Sequence, residues 1–276
     1  MTALPVSKSG KSAFEVACEA AKQAGEILKT CFCTESRVQY KGRANIVTDV
    51  DLQSEKCLKT LLQSEYPDHS ILSEESQAVT GNSRYKWILD PLDGTNNYSF
   101  GIPFFSIVIA LVKGNDVLLS IVYDPLREEM FSAQKGKGAV LNNSPIHVTA
   151  KKTVRDSLIG LDLGYVDENG KKSLEFITAL WPQMYAYRIM GSAALGMAYT
   201  ACGRLDLYFH LFLYPWELAS GSLLVTEAGG LITDLEGKPL KVWQNSVIAS
   251  NKVVHADFLQ ILRESSFGAN LFKRLK

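Results

Sequence analysis

Apolar residues recur at three- and four-residue intervals over residues 11–32, where Phe14, Ala17, Ala21, Ala24 and Leu28 share one helical face. The same spacing from about Asp51 to Glu65, with Leu52, Leu58, Leu61 and Leu62, predicts a second helix stopped ahead of Pro67. Short runs follow at SILSEE (70–75) and KWILD (86–90). FSIVIALV and VLLSIVYD, joined around Lys113-Gly114-Asn115-Asp116, read as a hairpin, and EMFSAQKGKGAVLNN and PIHVT add strands. In the second half, SLIGLDLG (157–164) reads as a strand and LEFITALWPQ as a short helix. A helix from about Ser192 to Cys202 ends at Gly203, RLDLYFHL is strand-like, and Trp216 to Glu227 is helical. Gly229-Gly230 stops that helix before LITDL, and HADFLQILRES forms the last one. Strands and helices mixed with several hairpins predict a layered α/β architecture rather than a simple βαβ array. No linker, low-complexity tract or repeat interrupts residues 1–276. The chain reads as a single domain, or as two intimate subdomains of about 1–150 and 151–276.

Composition narrows the partners. The chain is 46% hydrophobic, enough for a substantial core, and Lys+Arg and Asp+Glu balance at 29 each, so no basic footprint points to nucleic acid. Phe104 to Val112 is the longest apolar stretch, about half of the ~20 residues that a membrane-spanning helix needs. MTALPVSKSGKS lacks the apolar segment of a signal peptide, which predicts a cytoplasmic protein. Five cysteines form no CxxC pair, and Cys31 and Cys33 flank Phe32 without a nearby His, so they read as reduced thiols. Phosphate-binding and dinucleotide glycine motifs and G-x-S-x-G are missing, and the four histidines are scattered. Any catalysis therefore rests on carboxylates.

Those carboxylates gather at the ends of predicted elements. Glu74 and Glu75 close SILSEES, Asp90 and Asp93 close KWILD and enter the next turn, Glu217 opens a helix, and Asp49 and Asp51 precede another. Ligand sites in α/β proteins collect at strand C-terminal ends. Converging carboxylates repel one another and rise in pKa, a conflict that divalent cations resolve. Oxygen ligands without His or Cys favour Mg²⁺ over Zn²⁺. Singly, each feature is bland: DPLDG reads as a turn, Asp51 as a helix cap and Glu217 as a charge on a helix dipole.

Three segments together are more specific. SEES at 73–76, WILDPLDGTNNYSFGIPFFSI at 87–107 and PWELASGSLLVTEAGG at 215–230 resemble the inositol monophosphatase family. That family lies within the Mg²⁺-dependent, lithium-sensitive phosphatase superfamily, with fructose-1,6-bisphosphatases and 3′-phosphoadenosine 5′-phosphate phosphatases. The resemblance covers about residues 12 to 262. It implies a layered αβαβα sandwich, usually a homodimer, and two to three Mg²⁺ ions per site.

Carried over by position, the resemblance makes Glu74 a ligand of the first metal that also holds the attacking water. Asp90 would bridge two metals, Asp93 would bind the second, and the Leu92 carbonyl the first. Thr95 would hydrogen-bond the water, and Asp51 would close that relay and touch a third metal. Gly94 would let the backbone approach the phosphate, and Gly191, Ser192 and Ala193 would contact substrate.

Two positions depart from the family pattern. Glu217 stands where Asp is usual in W-D-x-A-x-G, adding about 1.5 Å of reach at a metal ligand. His210 stands where Glu commonly contacts a substrate hydroxyl; a His there also suits an additional negative group. The implied activity is phosphomonoester hydrolysis of a small phosphorylated polyol or sugar. Inositol 1-phosphate is the first candidate. Fructose 1,6-bisphosphate, a 3′-phosphonucleotide and a silenced sugar-phosphate-binding relative are the alternatives.

Overall fold

Ser12 starts the first helix by accepting the Glu15 N–H, while the Glu15 carboxylate reaches back to the Ser12 N–H. The computed structural model describes residues 4–34, 37–43 and 45–265. Helix α1 (Ala13–Cys31) packs its alanine face beside α2 (Asp49–Glu65), and both cover one face of a seven-stranded sheet. Before α2, β1 (Val38–Gly42) and β2 (Asn45–Thr48) form a separate antiparallel hairpin. Apolar periodicity did not show it, because all five residues of β1 are exposed.

The large sheet runs β3 (Ser70–Ser73), β4 (Tyr85–Asp93), β5 (Ser106–Lys113), β6 (Asp116–Asp124), β7 (Glu129–Gln134), β8 (Ala139–Leu141) and β9 (Ser144–Pro145). Ile107, Ile109 and Leu111 of β5 face α1 and α2. Val108, Ala110 and Val112 point the other way, into the middle of the molecule. A strand buried on both faces requires such an unbroken apolar run. The short helix α3 (Thr95–Ser99) follows β4 directly.

The second sheet has the order β11 (Ala186–Ile189), β10 (Leu158–Leu161), β12 (Leu207–His210), β14 (Val247–Ser250), β13 (Leu231–Thr233). Helices α5 (Ala193–Ala201) and α6 (Pro215–Glu227) fill the space between the two sheets. On the outer face lie α4 (Asp167–Leu180) and α7 (Lys252–Glu264), through Phe176, Ile177, Phe258 and Leu262. The layers are therefore helix, sheet, helix, sheet, helix, the αβαβα sandwich expected.

Several local expectations shift. PIHVT leaves the sheet after Pro145, and the Ile146 and Val148 N–H groups bond instead to the Ala139 and Ala228 carbonyls. Helix α4 starts at Asp167 rather than Leu174 and stops before Trp181-Pro182, since Pro cannot continue it. Helix α7 starts at Lys252, because Asn251 caps the Val253 and Val254 N–H groups. β10 ends at Leu161, which frees Asp162, Leu163 and Gly164 to turn out of the ladder.

Candidate active site

β3 and β4 are parallel, so Ser73 lies beside Leu89 and the acids that follow each, Glu74 and Asp90, emerge at one end of the sheet. The DPLD segment is not a turn after the strand. Asp90 pairs with Val108 and Asp93 with Ser106, so β4 carries one extra residue and bulges. Pro91 suits the bulge because it has no N–H to leave unpaired. The Asp90 carboxylate accepts the Leu92 N–H at 3.1 Å, and Ser54 of α2 donates to the Pro91 carbonyl at 2.8 Å. The bulge thereby aims both acids while α2 fixes its backbone.

Gly94 follows at φ +96°, and a Cβ there would lie 3.0 Å from the Gly191 carbonyl oxygen, so only glycine fits. Thr95 Oγ1 lies 3.0 Å from both Asp51 Oδ1 and the Leu92 carbonyl, which accept its proton in turn. Asp51 is not the helix cap: Thr48 caps α2, and Asp51 in the third position accepts the Thr48 N–H at 2.9 Å and its hydroxyl. Burial, reinforced by Glu75, pushes the Asp51 carboxyl up to about 6.

Asp93 is built into the start of α5. Its carboxylate accepts the Ala193 and Ala194 N–H groups at 3.1 Å each, the Ser106 hydroxyl at 3.1 Å, and the Ser192 hydroxyl. A carboxylate at a helix N-terminus satisfies N–H groups that have no partner within the helix. Glu217, third in α6, accepts the Tyr214 N–H at 2.7 Å. Glu74 and Glu75 both bind Lys41 of β1, at 3.0 and 2.8 Å.

These acids feel one another. Burial raises Asp90 well above the carboxylate range, and Glu74, Asp93 and Glu217 push it further. Glu217 is raised by burial and then by Asp93 and Glu74, and burial raises Glu74 and Asp93. Among the described residues no three of them lie close enough, as placed, to grip one ion. Glu74 is drawn to Lys41 and Asp93 to α5. The donor set nevertheless fits a hard cation: it is all oxygen, with Asp51, Asp90 and Asp93 buried and Glu74 and Glu217 half-buried, and Lys41 is the sole Lys or Arg side chain bonded to it among the described residues.

His210 is buried on β12. Its Nδ1 accepts the Phe212 N–H at 3.0 Å and burial lowers its pKa to about 4, so it is neutral with its proton on Nε2. Gly164, at φ +67°, passes against the imidazole, where a Cβ would sit 3.1 Å from Cε1. Next in sequence is Tyr165, 40% exposed, whose phenol pKa is raised by burial of its ring and then by Glu217, Glu74, Asp93 and Asp90. Sequence patterns missed Tyr165, Lys41, Asn97 and Asp162. The strand-end rule that found Asp90 applies equally to Asp162, whereas Lys41 sits on a polar hairpin that carries no signal.

A five-layer sandwich with buried acids at one sheet end, a bulge that aims two of them and a Thr–Asp pair beside them defines a phosphoric monoester hydrolase. Residues 11–266 match the model of the inositol monophosphatase family. The Nus factor SuhB of Xylella fastidiosa is 37% identical over 270 residues, covering 94% of this chain and 97% of that protein. The crystal structure of extragenic suppressor protein suhB from Bartonella henselae superposes with a TM-score of 0.87 at 32% identity, covering 91% and 98% of the two chains. An IMPase/NADP phosphatase complexed with Mg²⁺ and phosphate superposes with a TM-score of 0.80 at 25% identity, over 91% and 95%. The chain belongs to the inositol monophosphatase family.

Proposed function

We propose that this chain hydrolyses a small phosphorylated polyol or sugar, inositol 1-phosphate first among them, with Mg²⁺ as cofactor. The observation that carries the reading is the cluster of buried Asp51, Asp90 and Asp93 with half-buried Glu74 and Glu217, to which Lys41 is the sole Lys or Arg side chain bonded among the described residues. Glu74, Asp90, the Leu92 carbonyl, Asp93 and Glu217 would hold two to three ions, with Asp51 at the edge of the third. Bound there, Mg²⁺ neutralises phosphate oxygens, lowers the pKa of water and stabilises the leaving oxygen.

The chain's own residues do the rest. Thr95 donates its proton to Asp51, which turns its lone pairs toward a water that Glu74 also orients. Asp51 takes, through Thr95, the proton that the water sheds as the new P–O bond forms, and as the ester P–O bond breaks the leaving oxygen takes a proton from solvent. Gly94 keeps the backbone close to the phosphate, and Gly191, Ser192 and Ala193 border the leaving group. Phosphate release from a panel of inositol 1-phosphate, fructose 1,6-bisphosphate and 3′-phosphoadenosine 5′-phosphate, with Mg²⁺ and with or without lithium, tests this. No release from any of them refutes it.

His210 favours a second reading of specificity. With Nδ1 committed to Phe212, it offers a donor where a carboxylate would offer an acceptor. A leaving group bearing a second phosphate gains from that donor. His210→Glu is expected to lower kcat/KM for a bisphosphate about tenfold, one charge-assisted hydrogen bond, and to raise it for inositol 1-phosphate. A parallel change on both substrates removes His210 from specificity.

No helix among the described residues is long and apolar enough to cross a membrane, and we place the protein in the cytoplasm. Nucleic acid is not a partner in this reading, since Lys+Arg and Asp+Glu balance at 29 each and the composition carries no basic excess. Tyr185, Tyr187 and Ile189 lie exposed on and beside the free edge strand β11, with Trp181 nearby in sequence, and this edge suits a second copy of the chain. Sedimentation equilibrium is expected to show a dimer that Tyr187→Lys with Ile189→Lys dissociates. A wild-type monomer refutes the pairing.

A further inference from the structure

The turn between β11 and α5 is held from both sheets at one peptide. Asn97, from the helix after β4, donates through Nδ2 to the Met190 carbonyl at 3.0 Å and to the Phe104 carbonyl at 2.8 Å. Asp162, just beyond β10, accepts the Met190 N–H at 2.8 Å and the Gly191 N–H on the same oxygen, Oδ1. Its other oxygen accepts the Tyr208 hydroxyl of β12 at 2.8 Å. The Tyr208 ring reaches that position because Gly160 and Gly196 leave room: a Cβ at either would lie 3.0 or 2.4 Å from the ring. At Gly191, φ +75°, a Cβ would lie 2.6 Å from Asn97 Nδ2, so nothing larger fits under the clamp.

We propose that Asn97 and Asp162 are positioning residues that jointly clamp Met190-Gly191 against the Gly94 turn and so set the leaving-group side of the active site. Two consequences of the geometry support this. The Gly191 carbonyl abuts Gly94, and Gly191 leads straight into Ser192 and Ala193 on the leaving-group side, so a slip of this turn moves that side while Asp93 stays held by Ser106 and the first N–H groups of α5. The clamp also spans the two sheets at the active site: Asn97 follows a strand of one, and Asp162 and Tyr208 belong to the other. The role rests on the phosphatase reading above, but the clamp can be read without activity.

The test uses Asn97→Ala, Asp162→Ala, Asp162→Asn and the double alanine variant of the full chain. Each single alanine change is expected to raise KM for inositol 1-phosphate about tenfold, the scale of one lost hydrogen bond. Hydrolysis of p-nitrophenyl phosphate, whose leaving group carries no hydroxyls, stays within about twofold. Asp162→Asn keeps the Oδ1 acceptor and restores the KM. The double variant is no worse than the poorer single one, because the two act on one turn. Amide hydrogen exchange at Met190 and Gly191 accelerates in Asn97→Ala, although Asn97 touches neither N–H. Equal losses on both substrates, additive losses, or unchanged exchange in Asn97→Ala overturn the proposal. A wild-type protein that cleaves neither ester sinks the phosphatase reading instead, and the exchange rates then decide the clamp alone.

Discussion

Replacing Asp90 by Asn is expected to cut turnover by about three orders of magnitude, while the metal-free protein melts at a higher temperature than wild type. The activity loss follows from position. Asp90 lies at the bulge where Glu74, Asp93 and Glu217 all act on it, so it is the acid best placed to share a cation between them. Losing a cation that supplies several kcal/mol of charge stabilisation is a loss of about a thousandfold or more. The stability gain follows from burial. Asp90 is 1% exposed, and the bond that it accepts from the Leu92 N–H is one that Asn keeps through its oxygen. Neutralising it removes a buried charge from a repelling cluster. Asp93→Asn is the contrast. It also stops turnover, but an amide cannot accept the four bonds that the Asp93 carboxylate takes from Ser192, Ser106, Ala193 and Ala194, so the metal-free protein loses stability. Steady-state kinetics with thermal melts in chelator check both. If Asp90→Asn melts below wild type by as much as Asp93→Asn does, the Asp90 carboxylate is a structural device and its place in metal binding falls.

That contrast shows what the sequence could and could not reveal. A layered α/β architecture was legible because the buried strands are long apolar runs and α1 and α2 have clean helical spacing, and the five layers came with the family resemblance. Acids at strand ends, with proline and glycine between them, were legible because they break the pattern of their elements. The resemblance then assigned their roles. What stayed hidden depends on which partner each side chain meets. Asp93 reads as a free ligand in DPLDG, and nothing local says that α5, about a hundred residues later, begins on its carboxylate. Nor does YKG announce that Lys41 folds back onto Glu74 and Glu75. Asp51 looks like a cap because Asp often is one; Thr48 takes that position and leaves Asp51 facing Thr95. Short elements such as β11 and β14 escape periodicity because four residues hold too few repeats.

The crowding of these acids predicts a second large effect: without metal, stability falls as pH rises above about 6.5, and Mg²⁺ abolishes the fall. Asp90 and Glu217 are raised well above the carboxylate range by burial and by their neighbours. A folded pKa above the unfolded value means that the native state keeps a proton which the unfolded chain has released. Stability is then greatest at low pH and declines as pH climbs toward the folded pKa. Asp162, pushed up to about 7 by burial, adds to the early part of that decline. His210 and His255 run the other way. Burial holds both near 4, so their stabilisation is lost as pH falls below the ordinary histidine value. Above about 6.5 they are neutral in both states and contribute no slope, which leaves the alkaline limb to the carboxylates. Each group still holding its proton costs up to about 1.4 kcal/mol per pH unit, or roughly 2–4 °C of melting temperature for a chain this large. Melting scans in chelator should therefore drop by several degrees across the window, and scans with Mg²⁺ should stay level, because the cation keeps the acids ionised in the native state. Glu217→Gln removes one of these groups and should make the slope shallower. A metal-free protein whose melting temperature is flat or rises as pH climbs above about 6.5 would mean that these carboxylates do not repel, and the physical case for a cation among them would be gone.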